Sequence, residues 1–495
     1  MRYLPNGKQM SEADAHTIHK IGIPSLVLME RAALQIVETM HKKNISTEKS
    51  LIVCGSGNNG GDGFAVARLL TEQGKHADVL FAGKEASLSE ECRCQKQIVE
   101  NMGISVFTEF PDEEYTVIID AVFGVGLCRE ISGHYVIDWM NLQDTEKVAV
   151  DIPSGICAAT GEILGTAFRA DLTVCMACVK LGCELFPGKS YAGESIPVAI
   201  GIDPNYFSNR LDELGKLLPA RMMNSHKGSY GKVLMITGSP GMAGAAFLSA
   251  CAAYTVGAGL VQIYTASENR LALQELLPEA IISCYDSYDD NQLSRLLDWA
   301  DVVCIGCGLG MGQISEKILK NVLKNVSCPC VIDADGLNLL NGKIELLNQC
   351  RAPVILTPHM KEMSRLTGWS IDKIMEDRFQ ALDQIIKQSG PDTKSSIICV
   401  LKDSRTVVAQ TNRQKFVNLA GNNSMAKGGS GDVLAGTIAG LLAQHMAPFE
   451  AAAVGVFLHA CGGDEAKKSK GSYSVLARDL IQGMADAMKN AKECR

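Results

Sequence analysis

The sequence predicts an α/β protein of two domains, each a parallel sheet wound by helices. Three observations lead there. Short apolar runs of strand length, such as Leu51–Cys54 and Val233–Ile236, alternate with segments of helical periodicity. Glycine-rich loops follow several of those runs, where ligands of wound sheets bind, beyond the carboxyl ends of the strands. The chain has 495 residues, more than one ordinary core accommodates, so two domains of roughly 200 to 280 residues are expected.

Composition narrows the function classes. With 46% hydrophobic and 21% charged residues and 47 glycines, the chain reads as globular. The balance of 47 basic against 55 acidic residues gives a net charge of -8, and no long basic run occurs. That excludes a nucleic-acid or anionic-membrane surface, so no nucleic acid and no membrane is expected as a partner. The opening, MRYLPNGKQMSEADAH, lacks the apolar stretch of a signal peptide, and no apolar run of about 20 residues exists, so a cytoplasmic location is expected. Of the 18 cysteines, Cys54, Cys175, Cys178, Cys304 and Cys307 lie in strand-like runs. Neither C-x-x-C pair has a nearby histidine to complete a zinc site, and they read as reduced packing thiols.

In chain order, Ser11–Asp14 looks like a helix start, and Pro24–Lys43 is helical with Leu26, Met29, Ala33, Ile36 and Met40 on one apolar face. Strand Leu51–Cys54 leads through a loop at 55–63 into a helix over Phe64–Gln73, with further strands at 78–81, 116–120, 147–151 and 171–176. Three loops at strand ends carry chemistry: Cys54–Gly63, Asp120–Leu127 and Asp151–Gly155. Asn59, Asp120 and Ser154 in them offer only hard oxygen donors, which suit an alkali or alkaline-earth cation better than zinc. After a strand-like Ile196–Ile200 the pattern breaks into a linker at about 205–222, which sets the domains at 1–212 and 220–495.

The second domain repeats the design. A strand at Val233–Ile236 turns through Thr237–Gly244 into a helix over Ala245–Val256, and a strand at Asp301–Ile305 ends in Gly306–Gly310. Asp333 and Asp335 end the next strand, where two carboxylates can hold Mg2+ or cap a helix. Two more strands lead to Thr357–His359 and to Lys402–Thr406. The richest stretch is 421–436, GNNSMAKGGSGDVLAG. A glycine-rich loop opening a helix lets backbone N–H groups approach an anion, and phosphate is the natural guest. Asp432 falls in the first turn, where the helix dipole favours its ionised form, so it can take a proton from a substrate hydroxyl beside the phosphate. That is a phosphoryl-transfer geometry.

These motifs carry two resemblances. GSGNNGGDG, DAVFGVGL and DIPSG, in that order over about the first 200 residues, resemble the NAD(P)HX epimerase family. The resemblance implies a Rossmann-like three-layer sandwich. It implies that Asn58, Asn59, Gly60, Gly61, Asp62, Gly124, Val125, Gly126, Leu127, Cys128, Arg129, Glu130 and Asp151 contact a hydrated nicotinamide nucleotide. It implies also that Asn59, Asp120 and Ser154 hold a potassium ion, and Asp151 is the candidate to manage the proton.

HKGSYGKVLMITGSPGMAGA, IGCGLG, DADGLN, LTPHMKE, VLKDSRT and GNNSMAKGGSGDVLAG, over 226–440, resemble the ADP-dependent NAD(P)HX dehydratases, a ribokinase-like family. This implies that Gly308, Gly310, His359 and Asp432 face the hydrated nucleotide, while Lys402, Asp403, Ser404, Arg405, Thr406 and Gly431 grip the adenine nucleotide. ADP as phosphoryl donor and Mg2+ come with it. One departure stands out: the family usually reads KGxxT, and Asp403 occupies the glycine position. Together the resemblances imply repair of NADHX and NADPHX by epimerisation and ADP-dependent dehydration, in a homo-oligomer. The alternative is a ribokinase-like vitamin-precursor kinase with a non-catalytic nucleotide-binding N-terminal module.

Overall fold

The computed structural model describes residues 4–131, 135–202, 206, 218–219, 221, 223–388, 396–411 and 415–493. The chain divides into two compact units, Met1–Leu211 and Asp212–Arg495. The expected linker at 205–222 lies almost wholly outside the described residues.

The first unit holds seven strands: β1 (Lys49–Cys54), β2 (His76–Phe81), β3 (Val106–Phe107), β4 (Val117–Ala121), β5 (Glu146–Val150), β6 (Leu172–Met176) and β7 (Glu194–Val198). Their order is β3-β2-β1-β4-β5-β6-β7, all parallel. Helices cover both faces, so strand residues are buried whichever way they point. Ile52 and Cys54 enter one core while Leu51 and Val53 enter the other, which is why β1 reads as a continuous apolar run. The order reverses between β1 and β4, and a crevice opens beyond their carboxyl ends.

The second unit holds β8 (Lys232–Ile236), β9 (Leu260–Ala266), β10 (Ile281–Tyr285), β11 (Val302–Ile305), β12 (Cys330–Ile332), β13 (Val354–Leu356), β14 (Ile397–Leu401), β15 (Val407–Gln410) and β16 (Phe416–Val417). Their order is β10-β9-β8-β11-β12-β13-β14-β15-β16, with the last two antiparallel. Here the switch point lies between β8 and β11. Again the sheet separates two cores, with Val233 and Met235 in one and Leu234 and Ile236 in the other.

Two boundaries differ from the sequence reading. The helix expected from Phe64 starts at Asn58 and runs to Glu72, so most of the glycine-rich loop is helix. Glycine is a poor helix former, costing about 1 kcal/mol against alanine, but here packing demands it. A Cβ on Gly60 would lie 2.0 Å from the Gly55 carbonyl oxygen, and one on Gly63 would lie 2.6 Å from Ala121 Cβ. The first helix spans Gly7–His16, started by a capping box between Asn6 and Gln9 rather than at Ser11. The cysteines among the described residues are all free. No helix among them is long and apolar enough to cross a membrane.

Candidate active sites

At the first switch point the chain encloses a cleft of about 990 Å³. Its walls include Asn58, Asn59 and Asp62 from the start of the Asn58–Glu72 helix, the whole loop from Gly124 to Glu130, and Asp151. Gly60 and Gly61 face away from it, against the Gly55 carbonyl and Met29. Gly57 caps the helix in extended conformation with no side-chain acceptor, so the first-turn amides remain for a ligand anion.

Asp151 follows β5 with φ +69, a left-handed conformation that non-glycine residues rarely hold outside functional sites. Its Oδ1 accepts from the Met176 amide at 2.8 Å and from the ammonium of Lys180. Lys180 is wholly buried and also donates to the Met176 carbonyl at 2.8 Å. Burial pulls the Lys180 pKa down, but Asp151 together with the neighbouring Cys175 and Cys183 outweighs it, and the net shift is upward. Asp62 and Asp14 share the cleft. Burial first, then the charge of Asp151, pushes the Asp62 carboxyl well above its ordinary range and that of Asp14 to about 6. The cleft therefore sets the ion-paired Asp151 beside one carboxyl, Asp62, that keeps its proton.

Asp120, at the end of β4, is wholly buried. Its Oδ1 accepts from Ser154 Oγ at 2.7 Å and the Val122 amide at 3.2 Å, and its Oδ2 from the Ser154 amide at 2.7 Å. Burial still pushes it to about 6, and no basic side chain among the described residues pairs with it. Phe123 donates its amide to Ser154 Oγ at 2.8 Å. A Cβ on the next residue, Gly124, would lie 3.4 Å from Asn59 Oδ1. Asn59 Nδ2 is buried without a partner. The three expected ligands thus adjoin one loop, with hard oxygens and a carboxylate lacking a counter-charge. A potassium ion fits that donor set.

In the second unit the strand ends converge on Asp333. Its Oδ1 accepts from Thr357 Oγ1 and from Lys402 Nζ, both at 2.6 Å, and Cys307 Sγ donates to its Oδ2 at 3.8 Å. Lys402 Nζ also lies 4.0 Å from Glu362 Oε2. Lys402, expected to grip the adenine nucleotide, thus holds carboxylates. Asp432 sits in the first turn of a helix, Ser430–Ala443, that Gly429 caps at φ +92 without a side chain. The expectation that the helix dipole keeps Asp432 ionised is corrected here. Burial, then Asp333, pushes its carboxyl up to about 7, because desolvation outweighs a dipole effect worth about 1 kcal/mol. Gly431 leaves room beside it: a Cβ there would come within 3.3 Å of Lys402 Nζ.

His359 caps the helix Met360–Thr367, its Nδ1 accepting from the Lys361 and Glu362 amides at 3.1 and 3.2 Å. Burial, then Lys402, lowers its pKa, so the neutral ring carries its proton on Nε2, 3.3 Å from Glu362 Oε1. Gly308 and Gly310 hold φ of +59 and +79, and the Gly310 amide donates to Asp335 Oδ2 at 2.8 Å. In the Lys402–Thr406 loop, Asp403 turns inward to Arg378, whose Nε and Nη2 donate to Oδ2 at 3.3 and 3.1 Å. Its charge faces a buried guanidinium rather than a nucleotide. Arg405 donates to the Leu419 carbonyl and Thr406 Oγ1 to the Asp403 carbonyl, while Ser404 is exposed. Among the described residues no all-oxygen ligand set for Mg2+ is closed: Asp333 pairs with Lys402, and Asp335 accepts from the Gly310 amide.

The comparisons with known proteins match this division. The family described as YjeF-related protein N-terminus matches residues 25–182, and NAD(P)H-hydrate dehydratase matches 233–485. The bifunctional NAD(P)H-hydrate repair enzyme of Moorella thermoacetica is 34% identical over 522 residues, covering 99% of this chain and 97% of its own. The chain belongs to the bifunctional NAD(P)H-hydrate repair enzyme family. Among solved structures, a hypothetical protein of Streptococcus mutans is 34% identical with a TM-score of 0.50, covering 56% of this chain and 97% of its own. The Bacillus subtilis ADP/ATP-dependent NAD(P)H-hydrate dehydratase, co-crystallized with ATP/Mg2+, is 28% identical with a TM-score of 0.48, covering 56% and 96%. Within the repair-enzyme framework, sequence reasoning missed Lys180, Asp14, Glu362 and Arg378. Lys180 stands as a lone charge four residues beyond β6, with no spacing that marks it as functional.

Proposed function

We propose that this chain repairs hydrated NADH and NADPH, its first unit interconverting the two epimers and its second dehydrating the S epimer at the expense of ADP. One observation carries the reading. Asp432, a carboxyl poised near neutrality, stands at the start of an uncapped, glycine-led helix beside the Lys402–Asp333 pair. A base, an anion cradle and a half-buried cation are the parts phosphoryl transfer requires.

In the second unit Asp432 takes the proton of the hydroxyl that hydration placed on the nicotinamide ring. That oxygen attacks the terminal phosphoryl of ADP, and AMP leaves. The ring nitrogen lone pair then expels phosphate, and loss of a proton from the neighbouring ring carbon restores the reduced nicotinamide. The first-turn amides and Lys402 stabilise the spreading charge. Mg2+, when bound with the nucleotide, would supply screening of the phosphate charge. The Lys402–Thr406 strand end, Gly431 and the Gly308–Gly310 turn are proposed to seat the two nucleotides, with His359 Nε2 as a donor at the rim.

In the first unit the hydroxyl leaves as water, carrying a proton from a carboxyl that the cleft keeps protonated, of which Asp62 is the candidate. The ring nitrogen lone pair forms an iminium, and a water returns to the opposite face while Asp151 takes its proton. Lys180 holds Asp151 in place. Asn59, Asp120 and Ser154 would hold potassium, which would supply the positive charge that the buried Asp120 lacks beside the Gly124–Glu130 loop. The reading includes a cytoplasmic location and a homo-oligomer.

The deciding measurement is the near-ultraviolet absorbance of reduced nicotinamide after mixing the protein with both epimers of hydrated NADH, Mg2+ and either ADP or ATP. Recovery of both epimers with ADP is the expected result. Recovery of one epimer alone removes the epimerase assignment. A phosphorylated product that keeps its phosphate removes the dehydratase in favour of a vitamin-precursor kinase.

A further inference from the structure

We propose that Cys307, Asp333 and Asp432 form a site for a thiophilic divalent cation, Zn2+ above all, and that the ion bound there stops dehydration. The inhibitory half of the proposal rests on Asp432 serving as the base. The binding half rests on geometry alone.

One ligand atom from each of the three residues lies within 4.8 Å of the other two. Cys307 Sγ is 3.8 Å from Asp333 Oδ2. Tetrahedral zinc, with Zn–S of about 2.3 Å and Zn–O of about 2.0–2.2 Å, separates sulfur and oxygen ligands by about 3.5 Å, so the Cys307–Asp333 pair needs a shift of a few tenths of an ångström and the pairs with Asp432 at most about 1 Å more. Three protein ligands leave the fourth position for water or a substrate oxygen, the arrangement of an open zinc site. The turn that presents the thiol is enforced on both sides, by Gly306 at φ +121 and Gly308 at φ +59. Thr237, directly after β8, is wholly buried with its hydroxyl unpartnered, and its neighbour Gly238 donates its amide to the Cys307 carbonyl at 3.0 Å.

Charge balance favours the same occupant. Lys402 binds Asp333 through Oδ1, leaving Oδ2 toward the thiol. Binding expels the thiol proton and forms a Zn–S bond, so a thiolate, two carboxylates and one ammonium surround two positive charges and the cluster is neutral. Mg2+ gains nothing from the sulfur, since it demands hard oxygens in octahedral array. The thiol thus turns a phosphoryl-transfer centre into one that discriminates against softer metals by being stopped by them: the ion occupies the lone pair with which Asp432 would accept the substrate proton.

The test uses the full chain in chelator-treated buffer, with the S epimer, ADP and Mg2+. Micromolar Zn2+ should reduce dehydration at least about tenfold and a chelator should restore it. Cys307→Ser and Cys307→Ala, each measured against its own metal-free rate, should need at least about thirtyfold more Zn2+ for half inhibition. Co2+ added to the unsubstituted protein should give a thiolate charge-transfer band that both variants lack. Equal inhibition of all three proteins, or inhibition by Co2+ without the band, overturns the proposal. A band without any dehydration in the metal-free protein would leave the site standing and bring down the repair reading instead.

Discussion

Asp432 shows what a single residue owes to its surroundings. Its carboxyl titrates near 7, raised by burial and then by Asp333, so it is a half-loaded base at neutral pH. The dehydration rate should fall about tenfold per pH unit below 7 and level off above it; an inflection near 4 in the pH–rate profile would contradict this. Asp432→Asn should lose about two to four orders of magnitude in rate, and a loss below about tenfold would refute the role. The sign for stability is the opposite. A raised carboxyl pKa stabilises the fold below the unfolded value and loses that contribution as pH rises through 7, so Asp432→Asn should melt higher than the parent at pH 8. Lys180→Met should likewise cost about two orders of magnitude in epimerisation while S-epimer dehydration by the same preparation persists. Asp432 and Asp151 were legible because glycines or a Pro-Ser-Gly run mark them; Lys180 and Asp14 were not, because a single charge within an apolar or helical stretch has no spacing to read. Asp403 was legible as a departure but not in its meaning. Arg378 is 2% exposed and pairs with it, so Asp403→Gly, although it restores the family residue, should destabilise the chain by about 3 kcal/mol, read as a lower denaturation midpoint.

At the scale of elements, the strands that were read lie within a residue or two of the observed ones, since a doubly covered strand is a plain apolar run, but β9 and β15, also buried on both faces, were not read. The helix Asn58–Glu72 was not, because its first six residues include three glycines and spell a loop on propensity alone. Only the distances from Gly60 to Gly55 and from Gly63 to Ala121 explain why glycine is needed there. That same misplaced start bears on the cation site, since it puts Asn59 in a helical first turn next to the Gly124 loop. If potassium balances Asp120, it must favour the ionised carboxylate, whose pKa burial has raised to about 6. Replacing Na+ by K+ should therefore raise the first unit's melting temperature at pH 8, by several degrees when K+ is at about a hundred times its dissociation constant. The gain should shrink as pH falls through 6 and vanish in Asp120→Asn. Thermal melts in matched Na+ and K+ buffers would show it, and an Asp120→Asn protein that still responds to K+ would move the site elsewhere.

The whole molecule joins two chemistries that need each other. A phosphoryl-transfer pocket built from fixed side chains is chiral and accepts one epimer, whereas a hydrated ring carbon exists as two, so dehydration alone recovers only part of the damaged cofactor. Two domains were legible from length and from the repeat of strand, glycine loop and helix; the strand orders were not, since neither places β1 beside β4 nor β8 beside β11 in any local pattern. Each unit has a sheet with a core on both faces and a complete set of the residues assigned to its reaction. From this it follows that each unit carries its own core and its own chemistry. Separate proteins comprising 1–212 and 220–495 should each fold. The second alone, given ADP and both epimers, should restore reduced nicotinamide quickly up to the S share and then slow to the rate at which the epimers interconvert unaided. Adding the first should remove that plateau without changing the initial rate. If the plateau persists although the first piece is folded, epimerisation depends on the intact chain, and the assignment of its catalytic groups to residues before 212 would have to be given up.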